Sequence, residues 1–369
     1  EHDYLVFAIC DVTPIIEQTI IGNRLTSFTI KSRREVDFRT AGFYIPEFRN
    51  KDTHPKNEEL KQKYISHMKY LFNTYGDLVD NGIDVEDARF ILPYSFHSNI
   101  IMGLNARELE KMVTSFLYGP LSKISELKEF GEKLLSIIKE FVPYLEKSIE
   151  SYSNYSNNPF DYMESLANRP KIKIVSKPVL ISNTPNPDDV IIKSSIMYHF
   201  QCSEQEAKQI MEESEKIDPE YKAKSMNIIL HKEERRELEQ VSFTFQIPIS
   251  LSILTHLTRH RMHSLLIPEF TPLWDFNNFI IPATIQAKSE LKNIFINAQK
   301  ENMKIFEEFK NSNVSDEDLI YFYLGCQMLN VVTTMNGRTL QWILHLRCCN
   351  KAQWQIRNIA KELAKQVSS

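Results

Sequence analysis

The sequence is short of three features that would narrow its class quickly. It holds five cysteines in 369 residues, Cys10, Cys202, Cys326, Cys348 and Cys349, scattered and without metal-ligand spacing. That pattern argues against a disulfide frame and a zinc site, and it fits free thiols in a reducing, cytoplasmic compartment. No apolar run is long enough to span a bilayer, and no signal peptide is visible, which points away from a membrane. The chain begins at Glu1 rather than methionine, so nothing follows about an upstream segment. Positive charge is not in excess. A formal net charge of −4 argues against a nucleic-acid polymer as partner, while a local arginine cluster can still take a small anion. What is present, 42% hydrophobic and 25% charged residues, is ordinary for a packed soluble chain long enough for two domains.

The strongest internal signal is self-similarity. Residues 80–117 and 311–347 read alike: Glu86-Asp87 matches Glu317-Asp318, and Asn105-Ala-Arg107 matches Asn336-Gly-Arg338, both at an offset of 231. Each segment follows a stretch of helical periodicity, Leu60, Tyr64, Met68, Leu71, Tyr75 and Leu78 in the first, Leu291, Phe295, Ala298, Phe306 and Phe309 in the second, with a gap at Asn302. Upstream, residues 4–34 align with 241–271, and "FYIP" (43–46) matches "FIIP" (279–282). Three similar segments in one order predict a duplication. The second half carries an extra front: a strand, a turn at Pro185-Asn-Pro187 and a helix within 177–200, then a capping box formed by Ser203 and Glu206. The polar, Asn/Ser-rich stretch 148–173 reads as a linker. The expectation is an α+β protein of two fused, related units, 1–147 and 174–369, the first truncated at its N-terminus.

Arg259-His260-Arg261 ends an apolar, helix-like run. Two guanidiniums at a helix end suit a phosphate or other anion, and equally suit a solvated end that complements the helix dipole. Arg347, among Leu344, Leu346 and Trp342, and Arg89, in "DARFILP", sit in apolar settings where an arginine needs a partner, in a binding site or in a structural ion pair.

Together these residues resemble the flavin-dependent thymidylate synthases, whose signature is Arg-His-Arg, seven residues, then Ser-x-Arg. "NGRTLQWILHLRCCNKAQWQIR" (336–357) is similar to the family's C-terminal part, and "VLISNTPNP" and "EQVSFTF" to its approach. The second half keeps Arg259-His260-Arg261 but has Glu269 and Thr271 where Ser and Arg belong. The first half reads Gly22-Asn23-Arg24 at the first triplet, yet keeps Ser32 and Arg34. Arg89 is kept where the second half has Ile320; Arg347 is kept where the first half has Phe116. In the family, sites lie between subunits, one supplying the first triplet and late arginine, the other the Ser-x-Arg and the earlier arginine. The losses divide along that line, which implies a composite site shared by the two halves.

The resemblance implies FAD-dependent reductive methylation of dUMP to dTMP, with methylenetetrahydrofolate and NADPH as co-substrates. It implies nucleotide binding by Ser32, Arg34, Arg89, His256, Arg259 and Arg347, with Arg259 and Arg347 at the reacting base. It implies cofactor contacts from Arg259, His260, Arg261, Asn336, Arg338, Asn105 and Arg107. No cysteine nucleophile is required, so Cys348 and Cys349 read as packing or incidental thiols. Two copies of the fused chain would supply four units, a homodimer mimicking a tetramer. The alternative is a non-catalytic or divergent paralogue that binds FAD or another pyrimidine nucleotide. The sequence departs from the family pattern where His256 stands for a glutamine, Ile30 for a glutamate, Lys351 for a histidine, and "EERRE" for "GHE".

Overall fold

In the computed structural model, residues 2–51, 57–151, 171–270 and 275–367 are described, so most of the 148–173 linker, and Thr271, lie outside them. The first half forms β1 (Tyr4–Val12), α1 (Pro14–Gly22), β2 (Ser27–Ile30), α2 (Glu58–Asp80), α3 (Val85–Ala88), β3 (Ser98–Asn105), α4 (Ala106–Tyr118), α5 (Ser125–Phe141) and α6 (Tyr144–Ser151). The second forms β4 (Val179–Asn183), α7 (Pro187–Phe200), α8 (Glu204–Ile217), α9 (Tyr221–His231), β5 (Ser242–Ser250), α10 (Leu251–Thr258), β6 (Ser264–Leu266), α11 (Ala283–Gln286), α12 (Ser289–Asn311), α13 (Asp316–Leu319), β7 (Met328–Asn336), α14 (Gly337–Arg347) and α15 (Trp354–Val367). The architecture is mixed α+β with two small sheets, ordered β1-β3-β2 and β4-β5-β7-β6. The expected strand, turn and helix at 177–200 form, and the Ser203–Glu206 capping box is made in both directions.

The chain divides into two compact units. Unit 1 takes Glu1–Lys173, Ser250–Thr255 and Glu269–Met328; unit 2 takes Ile174–Ile249, His256–Pro268 and Leu329–Ser369. Thus the long helix α12 of the second half belongs to the same unit as α2 of the first.

Unit 1 is built on those two helices, each 23 residues long. α2 starts where Asn57 accepts the Leu60 N–H, and turns off at Gly82, whose φ of +77° suits a residue without Cβ. Their periodic residues are buried, Tyr64, Met68, Leu71, Leu78, Phe295 and Phe309 completely. Asn302, the gap in the apolar repeat, is buried too: its Oδ1 lies 2.9 Å from His67 Nε2 on α2, and its Nδ2 donates to Phe322 O at 2.8 Å. A polar residue fits here because every group it brings inside finds a partner. Phe48, Tyr64, Phe309 and Phe322 close the core with edge-on and tilted ring contacts near 5 Å.

Equivalent positions of the two halves meet reciprocally in unit 1. Tyr94 N–H donates to Tyr323 O at 2.6 Å, and Gly325 N–H, 231 residues on from Tyr94, donates to Leu92 O at 2.9 Å. Asp87 accepts from Thr284 Oγ1, while its counterpart Asp318 accepts from the Arg49 N–H.

Below α1 lies a carboxyl that periodicity does not flag. Glu126, in the first turn of α5, is 6% exposed and accepts from Thr13 N–H (3.1 Å), Thr13 Oγ1 (2.7 Å) and Tyr321 Oη (2.9 Å). Burial pushes its pKa up to about 7 against those hydrogen bonds, from an ordinary 4.5. The folded state therefore holds a proton that the unfolded chain releases above pH 4.5. Stability from this group is complete below that pH and falls as the pH rises through 7. Glu126→Gln should remove that slope, recovering up to about 3 kcal/mol at pH 8 relative to pH 5, because the two hydroxyls can turn to accept from the amide. Urea unfolding at the two pH values measures it; an unchanged slope assigns the pH dependence elsewhere.

Candidate functional site

In unit 1 the turn after β2 delivers Ser32, Arg33 and Arg34. Ser32 Oγ accepts the Arg34 N–H at 3.3 Å, and Ser32 O accepts the Val36 N–H at 3.1 Å, which fixes the turn. The short helix α3, capped by Asp84, carries Glu86 and opens the 3₁₀ turn Arg89–Ile91. Glu86 joins the two segments: its carboxylate pairs with Arg34 Nε, and its carbonyl accepts from Arg89 Nε at 3.0 Å. Arg89 is 4% exposed and its Nη2 has no hydrogen-bond partner. Burial, with Arg33 as the largest neighbouring charge, pulls the Arg89 guanidinium down to about 9.

Arg33, the variable position of the Ser-x-Arg pattern, is turned inward. Its Nη1 lies 2.9 Å from Glu17 Oε2, with side chains 9% and 0% exposed, and it sits over the Phe96 ring. The Glu17 oxygens receive no aligned hydrogen bond, so the pair is held by charge. Gln18 next to it donates to Tyr94 Oη, which donates to Leu251 O. Glu17, Glu86 and Asp87 offset the three guanidiniums. Arg34, one third exposed, is the member a dissolved anion can reach.

In unit 2 the end of α10 and the end of α14 hold one another. His256 is in the last turn of α10, and His260 N–H donates to Leu257 O at 3.1 Å beyond it. Arg347, the final residue of α14, donates from Nε to His260 Nε2 (2.9 Å) and from Nη2 to His256 O (2.9 Å). Burial, then the charges of Arg347, His263 and Arg259, pull the His260 pKa down to about 3. The ring is therefore neutral and accepts. Arg259 is exposed and Arg261 half-buried.

The remaining expected residues stand at helix starts. Asn336 caps α14, accepting Thr339 N–H at 2.8 Å; Asn105 caps α4, accepting Glu108 N–H at 2.9 Å. Their likeness in sequence is thus a shared cap. Arg338 pairs with Glu239 at 2.6 Å, and Arg107 is exposed. Gly337 has a packing reason: a Cβ there would meet Leu238 O at 2.8 Å. The structure so gathers Ser32, Arg34 and Arg89 in unit 1 and His256, His260 and Arg347 in unit 2. Sequence reasoning missed Glu17, Arg33 and Glu86 as partners; the Glu86-Asp87 repeat was the available signal for the last. All five cysteines are free thiols, and no cluster of metal-ligating side chains occurs among the described residues. No helix among them is long and apolar enough to cross a membrane.

A family profile matches the chain along most of its length, and individual relatives match up to about half of it. The profile of the family described as thymidylate synthase complementing protein matches residues 1–144 and 179–369. A flavin-dependent thymidylate synthase of Clostridium tetani is 31% identical over 208 residues, 51% of this chain and 80% of the relative. One of Pyrococcus abyssi is 31% identical over 137 residues, 36% of this chain, which spans just over half (56%) of that relative. A crystal structure of the Helicobacter pylori enzyme complexed with FAD and dUMP aligns at 22% identity with a TM-score of 0.34, covering 51% of this chain and 91% of that one. Because the profile match extends over both halves, the chain belongs to the thymidylate synthase complementing protein family.

Proposed function

We propose that this chain methylates dUMP to dTMP with FAD as bound cofactor and methylenetetrahydrofolate and NADPH as co-substrates, at a composite site to which the two halves contribute different residues. The observation that carries this reading is the assembly of the retained arginines. Arg34 and Arg89 share one glutamate in unit 1, and Arg347 is latched to the Arg259-His260-Arg261 segment in unit 2. Losses scattered at random would leave single arginines without such company. The reciprocal Tyr94–Tyr323 and Gly325–Leu92 bonds, made by positions equivalent at the offset of 231, support a duplicated origin.

Ser32, Arg34 and Arg89 would hold the nucleotide phosphate, with Arg34 as the accessible donor and Arg89 as buried charge behind it. Arg347, its guanidinium plane fixed by two acceptors, would face the uracil and stabilise negative charge as N3 loses its proton, which enriches C5 for attack. The residues available for FAD fit a dinucleotide: Arg259, Arg261 and Arg338 offer cationic donors to a pyrophosphate, and Met262, Leu266 and Trp342 leave apolar surface exposed for a ring. When bound, FAD supplies hydride. Asn105, Arg107 and Asn336 are the further candidates on that side. A homodimer would bring four units together.

The test is an assay of dTMP formation from dUMP, methylenetetrahydrofolate, NADPH and FAD with the purified full chain. Product formed is the expected result. The second reading, a non-catalytic paralogue, draws on Glu269 in place of the signature serine. Protein that stays colourless in the presence of FAD would favour it.

A further inference from the structure

We infer that His260 is a positioning residue for Arg347: the Nε2 lone pair of the triplet histidine fixes the plane of that guanidinium. The inference rests on the reading that Arg347 faces the pyrimidine.

A guanidinium at the last residue of a helix is carried on a long, flexible stem. Held by one hydrogen bond, it swings. Nε–H and Nη2–H lie along one edge of the guanidinium, and both are engaged, by His260 Nε2 and His256 O, each at 2.9 Å. Two acceptors on one edge fix the plane, which a single contact cannot do. His256 and His260 are four residues apart across the end of α10, so the backbone turn that carries one acceptor also sets the other.

The chemistry demands a particular form of the ring. An arginine always donates, so Nε2 must carry a lone pair, and the imidazole is neutral with its proton on Nδ1. The surroundings enforce this: His260 is 8% exposed and faces Arg347, Arg259 and His263. Lysine or a second arginine would bring no acceptor. Glutamine would, since its Oε1 reaches the place of Nε2.

The first half supplies an internal comparison. There the triplet position is Asn23 and the late arginine position is Phe116, which is 1% exposed and packs in the core. The histidine and the arginine are absent together, as expected if they work as a pair.

The experiment uses the full chain as His260→Leu, His260→Gln, Arg347→Ala and the Leu/Ala double variant. Titration calorimetry with dUMP and flavin absorbance on adding FAD are the readouts. His260→Leu should weaken dUMP binding about tenfold or more, to the level of Arg347→Ala, and the double variant should be no weaker. His260→Gln should recover binding to within about threefold of the parent. Loss of FAD with dUMP binding kept, or additive effects of the two single changes, overturns the inference. If His260→Leu does not fold, His260→Asn replaces it: its oxygen falls short of Arg347, so binding equal to His260→Gln counts against. If the parent chain binds no dUMP, the nucleotide reading fails, and the thermal-unfolding cycle over the same variants decides the pairing. Non-additivity sustains it and additivity overturns it.

Discussion

Arg34→Ala should weaken dUMP binding at least about 30-fold, because a charge-assisted contact to a phosphate is worth roughly 2–5 kcal/mol once desolvated. The effect should fall on binding and leave folding nearly intact. Arg34 is one third exposed, and the turn that carries it is fixed by backbone and Ser32 bonds that the substitution keeps. Calorimetric titration with dUMP and the thermal midpoint of the same samples separate the two. Arg34→Lys should recover little, since a point charge cannot keep the Glu86 contact and grip an oxyanion from a planar fork at once. Binding within threefold of the parent would remove Arg34 from the site, and the composite reading with it.

Glu17→Ala should cost unit 1 about 3–5 kcal/mol of stability, the usual result of stranding a buried guanidinium by deleting its partner. Arg33 is 9% exposed and Glu17 is fully buried, so water cannot replace the lost charge. Removing both charges is different. Glu17→Leu with Arg33→Met should be nearly neutral, because hydrophobic replacement of a buried pair avoids desolvating either ion. The urea midpoint of the three proteins measures it. A small effect of Glu17→Ala would mean that Arg33 turns out to solvent when released.

Much of the secondary structure was open to inspection in the sequence. The α2 and α12 helices followed from apolar residues at three- and four-residue spacing, and the α8 start from a serine and a glutamate three apart. These signals are local and recur along one chain segment. The candidate arginines were also visible, Arg89, Arg259 and Arg347 in or beside apolar stretches and Arg34 through the family signature. Their partners were not. Arg34 meets Glu86 across 52 residues, Arg347 meets His260 across 87, and Glu126 meets Thr13 across 113. No periodicity spans such distances.

The sequence by itself determined the element pattern, the family and the division of retained arginines between the halves, because each is written in residue types at fixed spacing. Only the tertiary structure decided that α12 shares a unit with α2, that Arg33 is an inward ion pair beside the outward Arg34, and that His260 holds Arg347. Those outcomes depend on which buried charges can be neutralised where the chain folds back. A side chain's burial and its partner are set jointly by segments far apart in sequence, so neither can be assigned before both are in place.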